Sequence, residues 1–180
     1  PQEFIARNAE LPPIISSVCR AITCARAKQW SLAFLGAAYG HAFNSKPRFL
    51  QGEENRHRRH YPCKPQTWGQ RFIDPIYEPI YNTDNLSNEI VLDKHTFNGF
   101  FRTELCEFLR NQKVDTVFIA GIETHACVLA TAQSASLNQF TTIILEDCVW
   151  SARGDLAQCA LEIFKDGFGS TKRLDEVCGA

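Results

Sequence analysis

Cys127 has the surroundings that most clearly favour nucleophilic chemistry in this 180-residue chain. It follows the compact apolar run 116–120 and the segment 121–126, so it falls in the first turn of the next predicted helix. Unpaired backbone N–H groups and the helix dipole stabilise a thiolate at that position. Thr124 is a candidate N-cap for the same helix. The alternative is an inert helix cysteine that packs as a small hydrophobic residue.

Lys94 directly follows another predicted strand, 89–93. A lysine at the carboxyl end of a strand in an α/β sheet lies at the edge where active sites form. Its ammonium group would favour the ionised form of a neighbouring thiol and hold a developing negative charge. The alternative is a solvated lysine at the end of a strand.

The elements that must position these two residues alternate between strands and helices. Short β-branched or apolar runs predict strands, and apolar residues at helical spacing predict the helices between them. This alternation predicts an α/β fold, a three-layer sandwich with a mostly parallel, Rossmann-like sheet, within a single domain covering 1–180. The predicted strands are 31–35, 89–93, 116–120, 141–145 and, more weakly, 170–174, and the predicted helices lie around 12–25, 101–109, 125–137 and 156–164.

Residues 36–81 follow no regular pattern and contain five prolines. A loop of that length inside a compact domain is usually functional, as a lid or a pocket wall. The basic run 56–60 within it is interpreted as a solvated face.

Composition narrows the class of protein. There are 19 basic and 20 acidic residues, so neither a nucleic acid nor a membrane surface is an expected partner. The eight cysteines follow no zinc pattern, and a chain of this length does not need a disulfide framework. A reducing, cytoplasmic location is therefore predicted. The chain contains no Met and begins at Pro1, from which we expect the natural protein to begin upstream.

Two segments resemble motifs of the isochorismatase-like cysteine hydrolases. Segment 90–100, IVLDKHTFNGF, is similar to the family's K-x-x-x-S-A-F, and segment 121–128, GIETHACV, is similar to its G-x-x-T-x-x-C-V. The two motifs occur in the family's order and at its separation. Further matching positions are Gly99, Thr103, Leu105, Thr131, Ala132, Asp147 and Ser151.

The resemblance implies a catalytic Cys127, a catalytic Lys94 and a cis peptide bond just before Glu123. It also implies an oxyanion hole formed by the backbone N–H groups of Glu123 and Cys127. The family's third catalytic residue is an Asp, expected here immediately before Pro1, where its first strand would end. Candidates for substrate binding are Phe4, Phe97, Thr124 and His125.

No metal and no other cofactor is predicted. Nicotinamidases of this superfamily bind a metal through a D-x-H segment, of which only His41 is present here. His57 and His60 have the spacing of metal ligands, but the arginines around them repel cations.

The leading hypothesis is a cofactor-free cysteine hydrolase that cleaves a non-peptide C–N bond, in an amide or carbamoyl group of a small molecule, through a thioester. The alternative within enzymes is a vinyl-ether hydrolase of the isochorismatase type, which does not need the cysteine. The alternative outside enzymes is a non-catalytic relative that binds or assembles. A homo-oligomer, dimer or tetramer, is expected, with the Ala-rich helix 130–137 as a candidate contact.

Overall fold

The computed structural model describes residues 9–39, 63, 66–67, 70–81 and 87–179. Strands and helices alternate along most of this part of the chain, as predicted. The helices are α1 (Leu11–Ala27), α2 (Asp74–Tyr81), α3 (Leu105–Asn111), α4 (Leu129–Leu137), α5 (Gly154–Gly167) and α6 (Leu174–Cys178), and the strands are β1 (Leu32–Ala37), β2 (Glu89–Lys94), β3 (Thr116–Ile122), β4 (Thr141–Trp150) and β5 (Ser170–Lys172).

All of the described strand pairs are parallel, which confirms the predicted α/β class. β1 pairs with β2, and β4 lies between β3 and β5. Within the described residues the strands thus form a two-stranded and a three-stranded sheet. β1 and β2 end in register, with Ala37 opposite Lys94, so the residues that follow both strands emerge at one edge.

Neighbouring side chains on β3 and β4 pack on opposite faces of the sheet. Val117 packs with α3 and α4, whereas Phe118 packs with α1 and α6. On β4, Ile144 contacts α4 and α5, and Leu145 lies on the side of α6. Strand side chains alternate between faces, so this pattern requires a helical layer on each side of the sheet. These are the three layers expected from the sequence.

The helix α6 was not predicted, because the weak strand predicted at 170–174 ends at Lys172, and two further elements differ from the sequence prediction. The irregular stretch 36–81 contains α2, which begins at Asp74 and tolerates Pro75 because a proline in the first turn breaks no helical hydrogen bond. β4 continues to Trp150, five residues beyond its predicted end. The polar pair at 146–147 masks this continuation in the sequence, yet Asp147 is satisfied there by the Leu174 N–H at 2.8 Å.

A disulfide joins Cys24 and Cys178, although the sequence analysis found no need for a disulfide framework. It joins α1 to α6, and the two cysteines are 154 positions apart in the sequence. Sequence spacing could not indicate this pair, because α1 and α6 come together only in the folded chain, where they contact each other and both pack against β4. The predicted reducing compartment is not supported by this bond, since disulfides persist mainly in oxidising environments.

α4 packs against its own chain rather than presenting an Ala-rich surface. Ala132 and Ala135 are fully buried in the core, and Leu137 at the end of the helix is 72% exposed. Oligomerisation stays a prediction, with Leu137 as the apolar residue of α4 most available to a partner. In the described part of the chain, no helix is long and apolar enough to cross a membrane.

A charged pair ties α1 to the start of β2. The guanidinium of Arg26 donates two hydrogen bonds to Glu89, each 2.8 Å long, and both side chains are largely buried. A second pair, Arg20 with Asp175, has a 2.7 Å contact but is about half exposed. Burial and two-point geometry make the first pair the stronger of the two.

We expect Glu89→Gln to lower the free energy of unfolding by about 2 kcal/mol, because the largely buried Arg26 would lose its counter-charge. The matched variant Asp175→Asn should change it by less than about 0.5 kcal/mol, as is usual for exposed pairs. Urea unfolding followed by circular dichroism measures both. Equal effects of the two variants would contradict the distinction.

Candidate active site

Lys94 and Cys127 meet at the carboxyl edge of the strands. Lys94 Nζ lies 3.2 Å from Cys127 Sγ, although Lys94 ends a strand of the two-stranded sheet and Cys127 follows a strand of the three-stranded sheet. The Lys94 side chain is only 4% exposed. The neighbouring Asp93 is exposed and accepts a hydrogen bond from Gln70 Nε2 at 3.0 Å, as strand alternation requires. The expected proximity of the lysine and the cysteine is therefore observed.

The Lys94 ammonium group contacts two oxygen atoms in addition to the Cys127 sulfur. Nζ donates to the Thr96 carbonyl at 3.1 Å and to Tyr39 Oη at 3.4 Å. It also lies 5.4 Å from the centre of the Tyr39 ring. An ammonium group has three donors, and these acceptors together with Cys127 Sγ account for all three. A fixed cation at this position can stabilise negative charge that develops on the sulfur.

Cys127 lies in a π-helical turn, Thr124–Val128, that leads directly into α4. Such turns are rare and frequently occur at functional sites. The N-cap residue is Glu123, and no side chain caps the turn, so the prediction of Thr124 as N-cap was wrong. The Thr124 side chain is buried, and its Oγ1 has no hydrogen-bond partner among the described residues. The peptide bond between Ile122 and Glu123 is cis.

Ser151 connects the two ionisable residues of this turn. It donates to the Glu123 carboxylate at 2.7 Å, and its Oγ lies 2.6 Å from His125 Nδ1. The Ala152 N–H also donates to the Glu123 carboxylate, at 3.0 Å. Glu123 is thus held by hydrogen bonds from the end of β4 rather than extending into solvent. This network fixes the turn that carries Cys127 relative to the sheet.

The segment after Lys94 is anchored to α4. The Gly99 N–H donates to Thr131 Oγ1 at 2.9 Å, and the same hydroxyl donates to the Phe97 carbonyl at 3.3 Å. A Cβ atom on Gly99 would approach Leu35 Cδ1 to 2.5 Å, so any larger residue at this position would require the Leu35 side chain to shift. These contacts give a structural reason for Gly99 and Thr131 in the two motifs. They hold Phe97, a predicted substrate-binding residue, beside the site.

Tyr39 is a site residue that the sequence analysis did not predict. It lies two residues beyond β1, is 3% exposed, and places its hydroxyl 3.2 Å from Cys127 Sγ. Its ring meets Phe97 edge-on, with centroids 6.0 Å apart. The feature of the sequence that could have indicated Tyr39 is its position just after β1, a strand that ends beside β2. A tyrosine in an irregular stretch carries little information about its contacts.

Cys63 forms part of the same neighbourhood. Its carbonyl accepts the Tyr39 N–H at 3.0 Å. Burial raises the pKa of the Cys63 thiol, with a further contribution from Cys127, while the Lys94 charge opposes the increase. Cys63 therefore stays a neutral thiol beside the candidate nucleophile.

Several predicted residues lie outside the described part of the chain. They are Phe4, His41, His57 and His60. The third catalytic residue, an Asp before Pro1, stays a prediction. Among the described residues, no cluster of three or more His, Cys, Asp or Glu side chains is arranged to hold a metal ion.

Parallel strands with helices on both faces and a part-buried thiol–ammonium contact at the carboxyl edge define an α/β protein with a candidate nucleophile. The chain belongs to the isochorismatase family, because the family model described as the isochorismatase domain matches residues 2–176.

The similar proteins include characterised hydrolases. Ureidoacrylate amidohydrolase RutB of Yersinia enterocolitica is 27% identical over 177 residues, which cover 92% of this chain and 74% of that protein. Maleamate amidohydrolase of Pseudomonas putida is 39% identical over 69 residues, 38% of this chain and 32% of that protein. The crystal structure of nicotinamidase/pyrazinamidase PncA from Bacillus subtilis matches with a TM-score of 0.75 at 20% identity, over 89% of this chain and 85% of that chain. The last comparison concerns the fold alone.

Proposed function

We propose that the protein is a cofactor-free amidohydrolase that cleaves a non-peptide C–N bond of a small molecule, with Cys127 as nucleophile. The observation that carries the proposal is the 3.2 Å contact between Lys94 Nζ and Cys127 Sγ in a largely buried site. Burial of an ammonium group beside a thiol costs free energy unless a negative charge compensates it. Negative charge on the sulfur would do so, and it is also what nucleophilic attack requires. The amidohydrolases among the similar proteins support an amide or carbamoyl substrate.

In the proposed reaction, the Cys127 thiolate attacks the carbonyl carbon and a C–S bond forms. The N–H groups of Glu123 and Cys127 hold the oxyanion, while the Lys94 ammonium group stabilises the negative charge. The C–N bond then breaks, and the leaving amine takes a proton that we assign to the Asp expected before Pro1. Water attacks the thioester, releases the carboxylic acid and returns the cysteine.

Phe97 and His125 are the proposed pocket residues within the described part of the chain. Phe97 offers an apolar surface beside Tyr39, and His125 is oriented by Ser151. Thr124 is buried within the turn, so we assign it to packing rather than to substrate contact.

A substrate panel assayed with the full-length protein tests the proposal. We expect ammonia or amine release from small amides or N-carbamoyl acids, with the acyl group trapped on Cys127 in the mass spectrum of an acid-quenched sample. Pyruvate release from isochorismate without any amide hydrolysis would instead establish the vinyl-ether reaction. Binding of an amide without turnover would favour the non-catalytic alternative.

A cytoplasmic location stays a prediction, and the disulfide between Cys24 and Cys178 counts against it. Alkylation of the two cysteines in intact cells, before lysis, decides the question. Rapid labelling of both would support the cytoplasm.

A further inference from the structure

We propose that the Tyr39 hydroxyl is a catalytic partner of Cys127, which donates a hydrogen bond to the sulfur and holds it in the thiolate form. The two atoms are 3.2 Å apart, a hydrogen-bond distance for sulfur. The inference deepens the proposed function and rests on it, since a thiolate partner assists catalysis only if Cys127 is the nucleophile.

The contact with the neighbouring lysine is compatible with the phenol as donor to the sulfur. An ammonium group can only donate, so the Tyr39 oxygen accepts from Lys94 Nζ at 3.4 Å. The phenolic hydrogen is then available to the Cys127 sulfur. Burial, reinforced by the nearby Cys127, raises the pKa of the Tyr39 phenol, so the proton stays on the oxygen at neutral pH. Lys94 and Tyr39 therefore approach the sulfur as two donors.

The Tyr39 side chain is held before any substrate arrives. It is 3% exposed, its ring packs edge-on against Phe97, and its backbone N–H is bonded to the Cys63 carbonyl. A donor fixed in this way loses little side-chain entropy when the thiolate forms.

The other ionisable groups near the sulfur have different partners. Glu123 and His125 are hydrogen-bonded to Ser151, and His95 Nδ1 lies 2.8 Å from the Ala38 carbonyl. The Cys63 thiol is kept neutral by burial, which raises its pKa. In the described part of the chain, Lys94 and Tyr39 contact Cys127 Sγ, and Cys63 interacts with it electrostatically.

Tyr39→Phe removes the donor and keeps the ring. The test is the rate of Cys127 alkylation by iodoacetamide between pH 5 and 10, followed by mass spectrometry of the Cys127 peptide in the full-length protein. Loss of a hydrogen bond to a charged group should move the midpoint of the profile upward by about 1 pH unit and slow alkylation at pH 7 about tenfold. The matched variant Tyr77→Phe, on α2, should leave the profile unchanged, and Cys159 provides an exposed internal reference.

An unchanged midpoint in Tyr39→Phe overturns the proposal. This holds even if the variant has a lower thermal unfolding temperature, because Tyr39 would then contribute to packing alone. If the variant does not fold, 3-fluorotyrosine at position 39 replaces it as the probe. Its more acidic hydroxyl should move the midpoint downward, and no movement would again overturn the proposal. Alkylation requires no substrate, so this result is independent of the amide panel that tests the proposed function.

Discussion

Replacing Cys127 with serine should lower kcat for amide hydrolysis by about 10⁴-fold or more. Losses in this range are seen when the nucleophile is removed from a set of catalytic residues that act together. A serine hydroxyl in the same place ionises far less readily than a thiol and would remain protonated beside Lys94. The measurement is ammonia release at saturating substrate, with an assay sensitive enough to follow a 10⁵-fold loss. The fold should be unaffected, because the substitution changes one atom of a half-buried side chain.

Cys159→Ser is the matched control, since Cys159 is an exposed free cysteine on α5. Its kcat should equal that of the unmodified protein. Retention of activity within tenfold in Cys127→Ser would remove the thioester mechanism. It would favour the vinyl-ether reaction, which does not need the cysteine.

Lys94→Met should lower kcat by about 10²–10³-fold, the usual effect of removing one group that stabilises transition-state charge. Methionine keeps the length of the side chain, so it removes the donor contacts to Cys127 and Tyr39 with little change in packing. The Lys94 side chain is 4% exposed, and replacing a buried charge with an apolar group should maintain or raise the thermal unfolding temperature. Activity and stability would then change in opposite directions.

The control for this variant is Lys172→Met, which removes an exposed lysine from β5. It should affect neither kcat nor the unfolding temperature. A lower unfolding temperature of Lys94→Met would contradict the expected stability. Unchanged kcat in the folded variant would refute a catalytic role for the lysine.

Local patterns were sufficient to predict most elements and to place Lys94 and Cys127 after strands, while their candidate catalytic roles depended on the resemblance to the two family motifs. Strand 89–94 and the turn before α4 are specified by short-range preferences, namely β-branched runs, alternation and the residues that begin a helix. Lys94 and Cys127 could therefore be assigned to strand ends, and parallel strands bring such ends to one edge. α2 was missed because its two prolines are usually read as helix breakers, although Pro75 occupies a tolerated position.

The amino-acid sequence by itself determined the α/β class, the alternation of elements and the positions of Lys94 and Cys127 after strands, because these depend on neighbours within a few residues. Only the tertiary structure decided that Tyr39 contacts both of them and that Cys24 pairs with Cys178. Contacts between residues 55 to 154 positions apart depend on how whole layers pack, and no local periodicity encodes that geometry.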